Sequence, residues 1–268
     1  MTREARAGIA LLITLAAFAI VVPLVAPDPL APSDLLHGTL RAPSGAHLLG
    51  TDQFSRDVLA RLAYGARISL GVAAIAVSIA AAIGAALGLA AGAAAGGLAR
   101  LLGGLIDLAL AVPRLIVLLV LLAALGRLPA PALGLVLGLT GWPAVARLVR
   151  GETLRLRHAH YVTAARALGA TPGRVVWRDI FPGTVPALLV ASSLGLADAV
   201  LLEAGLSFIG VGVRPPAPSW GGMLFEARDH LTDAPWLLIA PSLALVAATF
   251  AATLLGDALR RSLQPESA

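Results

Sequence analysis

The chain has 268 residues, 58% hydrophobic and only 13% charged, with a mean hydropathy of +0.88. A water-soluble domain draws about a quarter of its residues from the charged types, so this composition excludes an ordinary soluble enzyme and points to a bilayer as the solvent. The net charge of +5 comes wholly from arginine, since all 20 basic residues are Arg; cytoplasmic loops carry such an excess, so no nucleic-acid partner is required, and the absence of cysteine excludes a disulfide framework or thiolate metal site.

Six apolar runs predict an all-α, polytopic membrane protein with six transmembrane helices. Arg3, Glu4 and Arg6 precede the run Gly8 to Ala26, which is long for a signal h-region and lacks a small-residue cleavage site. It reads as an uncleaved first span with a cytoplasmic N-terminus. Residues 27–67 have loop character, beginning with Pro27, Asp28, Pro29, Pro32 and Asp34. Within them Thr51 to Tyr64 predicts an amphipathic helix on the outer surface or against the bundle, with Phe54, Val58 and Leu62 on one face. Asp57 and Arg61 form an i,i+4 pair in it, and Gly65 closes it. The chain thus divides into 1–67, the first span and external segment, and 68–268, a five-helix transmembrane unit.

The second span is Ile68 to about Leu98, with Gly84, Gly88, Gly92 and Gly96 on one stripe where another backbone can approach. Leu101 to Leu125 is the third, Ala132 to about Val149 the fourth, Val185 to about Leu202 the fifth and Trp236 to about Leu255 the sixth. The segment from Gly205 to Pro235 reads as partly re-entrant or surface-lying. Asp107, Arg114, Asp198 and Glu203 fall in or at the ends of the spans. Charges at such depth usually face a bundle interior or water, which makes these four candidates for a solute path. Equally open is that Asp107 and Arg114 pair with each other or with a neighbouring helix. Asp257 reads as a local ion pair with Arg260 and Arg261. With both termini on the inner side, 12 arginines fall inside and 7 outside, with Arg114 in the membrane, which favours cytoplasmic termini.

The longest polar stretch, Arg155 to Pro186, lies between the two apolar halves. His158 to Leu168 predicts a short helix, ended by Gly169 in a left-handed conformation. Thr171 as N-cap and Pro172 at the first helical position open a second helix over Gly173 to Asp179. Pro182 and Pro186 stop it and start the fifth span.

Enzymatic motifs do not appear. There is no G-x-x-x-x-G-K-[ST] loop, H-E-x-x-H or C-x-x-C. His158 and His160 are two apart, which on a helix sends them to different faces. The serines near Asp198 have no histidine near in sequence. Among the readings left are a transporter subunit, a self-sufficient channel or carrier, and an assembly scaffold; an inverted repeat, which would support a carrier, is not visible.

From Tyr161 the polar stretch reads Y-V-T-A-A-R-A-L-G, then ten residues, then Ile180-Phe181-Pro182. This resembles the EAA loop of bacterial ABC importer permeases. Three further stretches resemble the dipeptide, oligopeptide and nickel importer permeases in particular: His47 to Leu70; Gly141 to Gly151; and the C-terminal third, at Leu206 to Leu224 and Leu255 to Leu259. The similarity spans almost the whole chain and fits the shorter, second permease of these paired systems. It implies a type I ABC importer permease fold in the bacterial inner membrane, with a cytoplasmic coupling loop over about 151–184. It further implies a homologous permease partner, two ATPase subunits that bind the ATP and Mg, an extracytoplasmic substrate-binding protein and surrounding membrane lipid, with no cofactor in this chain and no catalysis of its own. The residues matched to ATPase coupling are Tyr161, Thr163, Ala164, Ala165, Arg166, Leu168, Gly169, Arg174 and Pro182, with Arg178 beside them. Thr163 stands where the family usually has Glu, and Phe181 where Leu is common. Di- and oligopeptides are the expected cargo; a nickel chelate or another small solute, and an ATP-independent carrier, are the alternatives.

Overall fold

The computed structural model describes residues 3–32 and 38–263. Among them the architecture is helical: α1 (Arg3–Val25), α2 (Val58–Ala93), α3 (Gly96–Ala111), α4 (Arg114–Leu125), α5 (Ala130–Leu156), α6 (His160–Ala167), α7 (Pro172–Arg174), α8 (Phe181–Phe208), α9 (Trp220–Ala227) and α10 (Trp236–Leu263). Five stretches are long and apolar enough to cross a bilayer: Arg6–Val25, Val58–Ala93, Ala130–Leu156, Pro172–Phe208 and Trp236–Ser262. The pair α3–α4 makes a sixth if counted as one. The expected six runs are therefore present, but several of their boundaries and one of their shapes differ from the sequence reading.

The predicted helix over Thr51 to Tyr64 is not a separate element. Residues 51–57 form turns, and α2 begins at Val58 with Asp57 as its N-cap, accepting from the Ala60 N–H at 2.8 Å. Asp57 also faces His47 Nδ1 at 2.9 Å, so it does not pair with Arg61. Gly65 does not end the helix. It is buried in mid-helix, where a Cβ would lie 3.2 Å from the indole of Trp220. The missing side chain is used to admit that indole, whose Nε1 donates to Leu62 O at 3.0 Å. The division expected at 67/68 thus falls inside a continuous helix. At 36 residues α2 is about 54 Å long, well beyond a hydrocarbon core of about 30 Å, so one end projects out of the apolar layer.

The N-terminal end of α2 is tied to the turns before it and to α9 by charge. Asp52 Oδ2 accepts from Arg56 Nε at 2.6 Å and from Arg61 Nη1. Glu226 on α9 accepts from Arg56 at 3.0 Å and from both Arg61 Nη atoms at 2.6 and 3.0 Å. Two cations and two anions form a closed, largely buried set. Asp34 lies outside the described residues.

The third span is broken. Pro113 has no N–H to continue the ladder; α3 stops at Ala111, and α4 restarts at Arg114 after a 76° bend. The same proline rule fails at the fifth span. Pro182 is the second residue of α8 and follows directly on another helical segment, so it removes one N–H without ending the helix. The chain before it widens to a π-helix over Val175–Ile180, with the Phe181 N–H reaching Val176 O, and Pro186 lies inside the helix one turn on. The helical path is continuous from Pro172 to Phe208. Thr171 has the extended backbone of an N-cap but makes no side-chain cap bond.

The broadest helix contact is between α2 and α5. On α2, a Cβ at Gly84, Gly88 or Gly92 would come within 2.5–2.6 Å of Val145, Ala146 O or Thr153 on α5. On α5, Gly134 and Gly138 meet Ile75 and Ile79 of α2 in the same manner. Close backbone approach through small residues is how helices associate in lipid, where water supplies no drive. Gly96, expected in this stripe, falls past the end of α2 as the first residue of α3. α8 and α10 complete the bundle, and α1 lies against α10 and α2. The segment after α8 returns as α9, capped by Ser219 and anchored by the fully buried Trp220.

Candidate functional site

The polar stretch folds as a helix–turn–helix mounted on the bundle. α6 ends with the Gly169 N–H bonding Arg166 O, the Ala170 N–H bonding Ala165 O, and Gly169 at φ +84°. This double closure requires a left-handed residue, which glycine supplies without a Cβ penalty. The inner face of the turn is apolar: Val162, Val175 and Ile180 are buried and cluster with Leu89, Val149 and Leu156 of α2 and α5. Tyr161 Oη donates to Asp179 O at 3.3 Å and ties the two arms together.

The outer face is unpartnered in the single chain. Leu168 is 89% and Trp177 65% exposed, amid the exposed Arg166, Arg174 and Arg178. Ala164 is exposed and Ala165 half-buried, while Thr163 turns its hydroxyl back to His160 O at 2.8 Å. Pro182 is exposed at the start of α8. Trp177, which sets its ring edge-on to Phe181 at 5.4 Å, did not figure among the sequence candidates, although a tryptophan in a polar loop was a visible signal.

The four intramembrane candidates separate. Asp107 on α3 pairs with Arg147 on α5 at 2.8 Å. The bend at Pro113 takes Arg114 away from Asp107; Arg114 instead bonds Asp198 on α8 at 2.7 Å and Leu137 O on α5 at 2.7 Å. Glu203 does not face an open path: it is fully buried, accepting from Ser69 and Ser207 hydroxyls, each at 2.7 Å. A cavity of about 620 Å³ opens between α2, α5 and α8, with Arg114 and Asp198 in its wall and Arg260 of α10 also lining it. The sequence reading had placed Arg260 only as a partner of Asp257.

The family described as "Binding-protein-dependent transport system inner membrane component" matches residues 84–267. The chain belongs to this family. The permease is 44% identical over 248 residues to the dipeptide transport system permease protein DppC of Escherichia coli, covering 89% of this chain and 81% of that protein. It is 34% identical over 262 residues to a DppC of Alkalihalophilus pseudofirmus, covering 97% and 84%. To the glutathione transport system permease protein GsiD of Pectobacterium atrosepticum it is 37% identical over 224 residues, covering 84% and 74%. A chain from the inward-facing MetNI methionine ABC transporter shares the fold, with a TM-score of 0.62 at 20% identity, covering 76% of the permease and 97% of that chain. The chain is thus a multi-pass permease subunit of an ABC importer, with the expected permease fold.

Proposed function

We propose that this permease carries di- and oligopeptides inward, working as one half of a pair with a homologous permease. Two ATPase subunits bind ATP and Mg, one of them docking on this chain's loop over about 151–184, and an extracytoplasmic binding protein delivers the cargo on the opposite side. The observation that carries this reading is the loop itself: an apolar underside fixed to α2 and α5, and an outer face with Leu168 and Trp177 exposed among arginines. Tryptophan and arginine are the residues that carry most binding energy at protein interfaces, and Leu168 adds exposed apolar surface beside them. Ala164, Ala165 and Gly169 keep that face low enough to enter a groove, and Arg166, Arg174 and Arg178 meet its rim. With α6 joined to α5 and the second arm continuous with α8, a push from the ATPases moves the helices beneath and alternates access across the membrane. Thr163, bonded to its own helix, takes no charged partner.

The excess of arginine on the loop side supports cytoplasmic termini. The chain from the start of α2 onward serves as the transporting unit, and the residues before it supply the anchoring span and external segment. Peptide cargo is supported by the dipeptide and glutathione transport named for the relatives.

The decisive experiment is co-purification of the chain with ATPase subunits from its native host. Deletion of Ala164 to Gly169 abolishes recovery of the ATPases while membrane insertion is retained. The double variant Leu168→Ala/Trp177→Ala weakens the complex by about 30-fold. Undiminished recovery of ATPases with the deletion variant, or ion-driven uptake by the chain alone, refutes the reading.

A further inference from the structure

The cavity beside Arg114 has a volume of about 620 Å³, within the range of about 300–1,000 Å³ typical of small-molecule sites. Its wall is mostly small or apolar, as at Ala80, Gly141, Ala144 and Gly195. The opposed charges in that wall meet as a pair, Arg114 Nη1 to Asp198 Oδ2 at 2.7 Å. The partners are held unequally. Arg114 is fixed to α5 through Leu137 O at 2.7 Å and Thr140 Oγ1 at 3.4 Å and is 30% exposed, whereas Asp198 is 58% exposed.

Opening an ion pair in apolar surroundings leaves two unpaired charges, each expensive. An uncharged solute cannot compensate either. An anion answers only Arg114, and a cation only Asp198. A zwitterion re-pairs both at once and leaves the charge of the cavity unchanged. We infer that the Arg114–Asp198 pair is the permease's own recognition site for small zwitterionic peptides, Arg114 taking the terminal carboxylate and Asp198 the terminal ammonium. Arg260, lining the same cavity from α10, offers the carboxylate its next partner. The inference rests on the importer reading and adds to it that the permease, and not only a binding protein, reads the free ends of its cargo.

The chain contains no cysteine, so Ser192→Cys places a single thiol in this cavity wall. In the complete permease–ATPase complex in proteoliposomes, without binding protein, thiol labelling is followed with alanyl-alanine, its N-acetyl form and its C-terminal amide. Alanyl-alanine slows labelling by about 10-fold and each blocked form does not, the difference expected for one charge-assisted hydrogen bond. Adding Asp198→Asn removes the protection. Equal protection by all three peptides, protection that survives Asp198→Asn, or no protection at all overturns the inference. Should the single variant fail to assemble, Arg114→Gln/Asp198→Asn, which strands no charge, gives the same reading. A complex that retains its ATPases yet shows no protection refutes only this site, whereas a chain that recruits no ATPase refutes the importer reading.

Discussion

Glu203 has a serine hydroxyl on each carboxyl oxygen, and those serines are themselves engaged. Ser69 accepts from the Trp220 N–H at 3.1 Å, and Ser207 accepts from the Val213 N–H at 3.2 Å. The carboxyl group is therefore a hub joining α2, α8 and the start of α9. Glu203→Ala strands these hydroxyls in a dry setting and is expected to cost about 1–3 kcal/mol, read as an earlier thermal transition of the detergent-solubilised complex. Glu203→Gln keeps an acceptor and loses less. In sequence, Asp107, Arg114, Asp198 and Glu203 look alike, each a charge in or beside an apolar run. Spacing gives the face of a helix but not what stands opposite it. Only the fold shows that one is sealed, one leans on Arg147, and two meet across a cavity.

At the next scale, α2 and α5 behave as a single packed unit whose spacing is set by glycine. Gly88→Leu is expected to force the helices apart and cost several kcal/mol, because the obstacle is backbone, Ala146 O at 2.6 Å from even a Cβ. Gly71→Ala, with nothing within 4 Å of the added carbon, is expected to stabilise the chain by about 0.5–1 kcal/mol. Yield and thermal midpoint of the two variants check both. The stripe itself was legible, since a four-residue repeat of glycine has few other uses in a membrane helix. The prolines were harder. Pro113 breaks a span and Pro182 and Pro186 do not, although all three stand in apolar or near-apolar runs. What separates them is position in the turn and the π-helix over Val175–Ile180, which absorbs one residue; neither is encoded in the local pattern. The loop between α5 and α8 was read closely, Gly169 included, because its helix-ending chemistry is local.

For the molecule as a whole, the two ends of the bundle are secured by opposite means. The loop end is held by the buried Val162, Val175 and Ile180, the far end by the four-membered charge set of Asp52, Arg56, Arg61 and Glu226. Arg61→Ala removes a buried cation with two carboxylate partners. It is expected to cost about 3–5 kcal/mol and to free residues 38–57 for protease cleavage. The sequence suggested only a short-range pair of Asp57 with Arg61, because the true partners are nine residues before it and, on α9, 165 residues after it. That closed set has a bearing on how the fold responds to salt. Mobile ions at 1 M shrink the reach of an exposed charge to about 3 Å, which weakens an exposed contact such as Arg228 with Asp229 at 3.4 Å. Arg61 and Asp52 are each only 3% exposed, so brine has little access to them. Protease cleavage of 38–57 should stay as slow in concentrated salt as in dilute buffer.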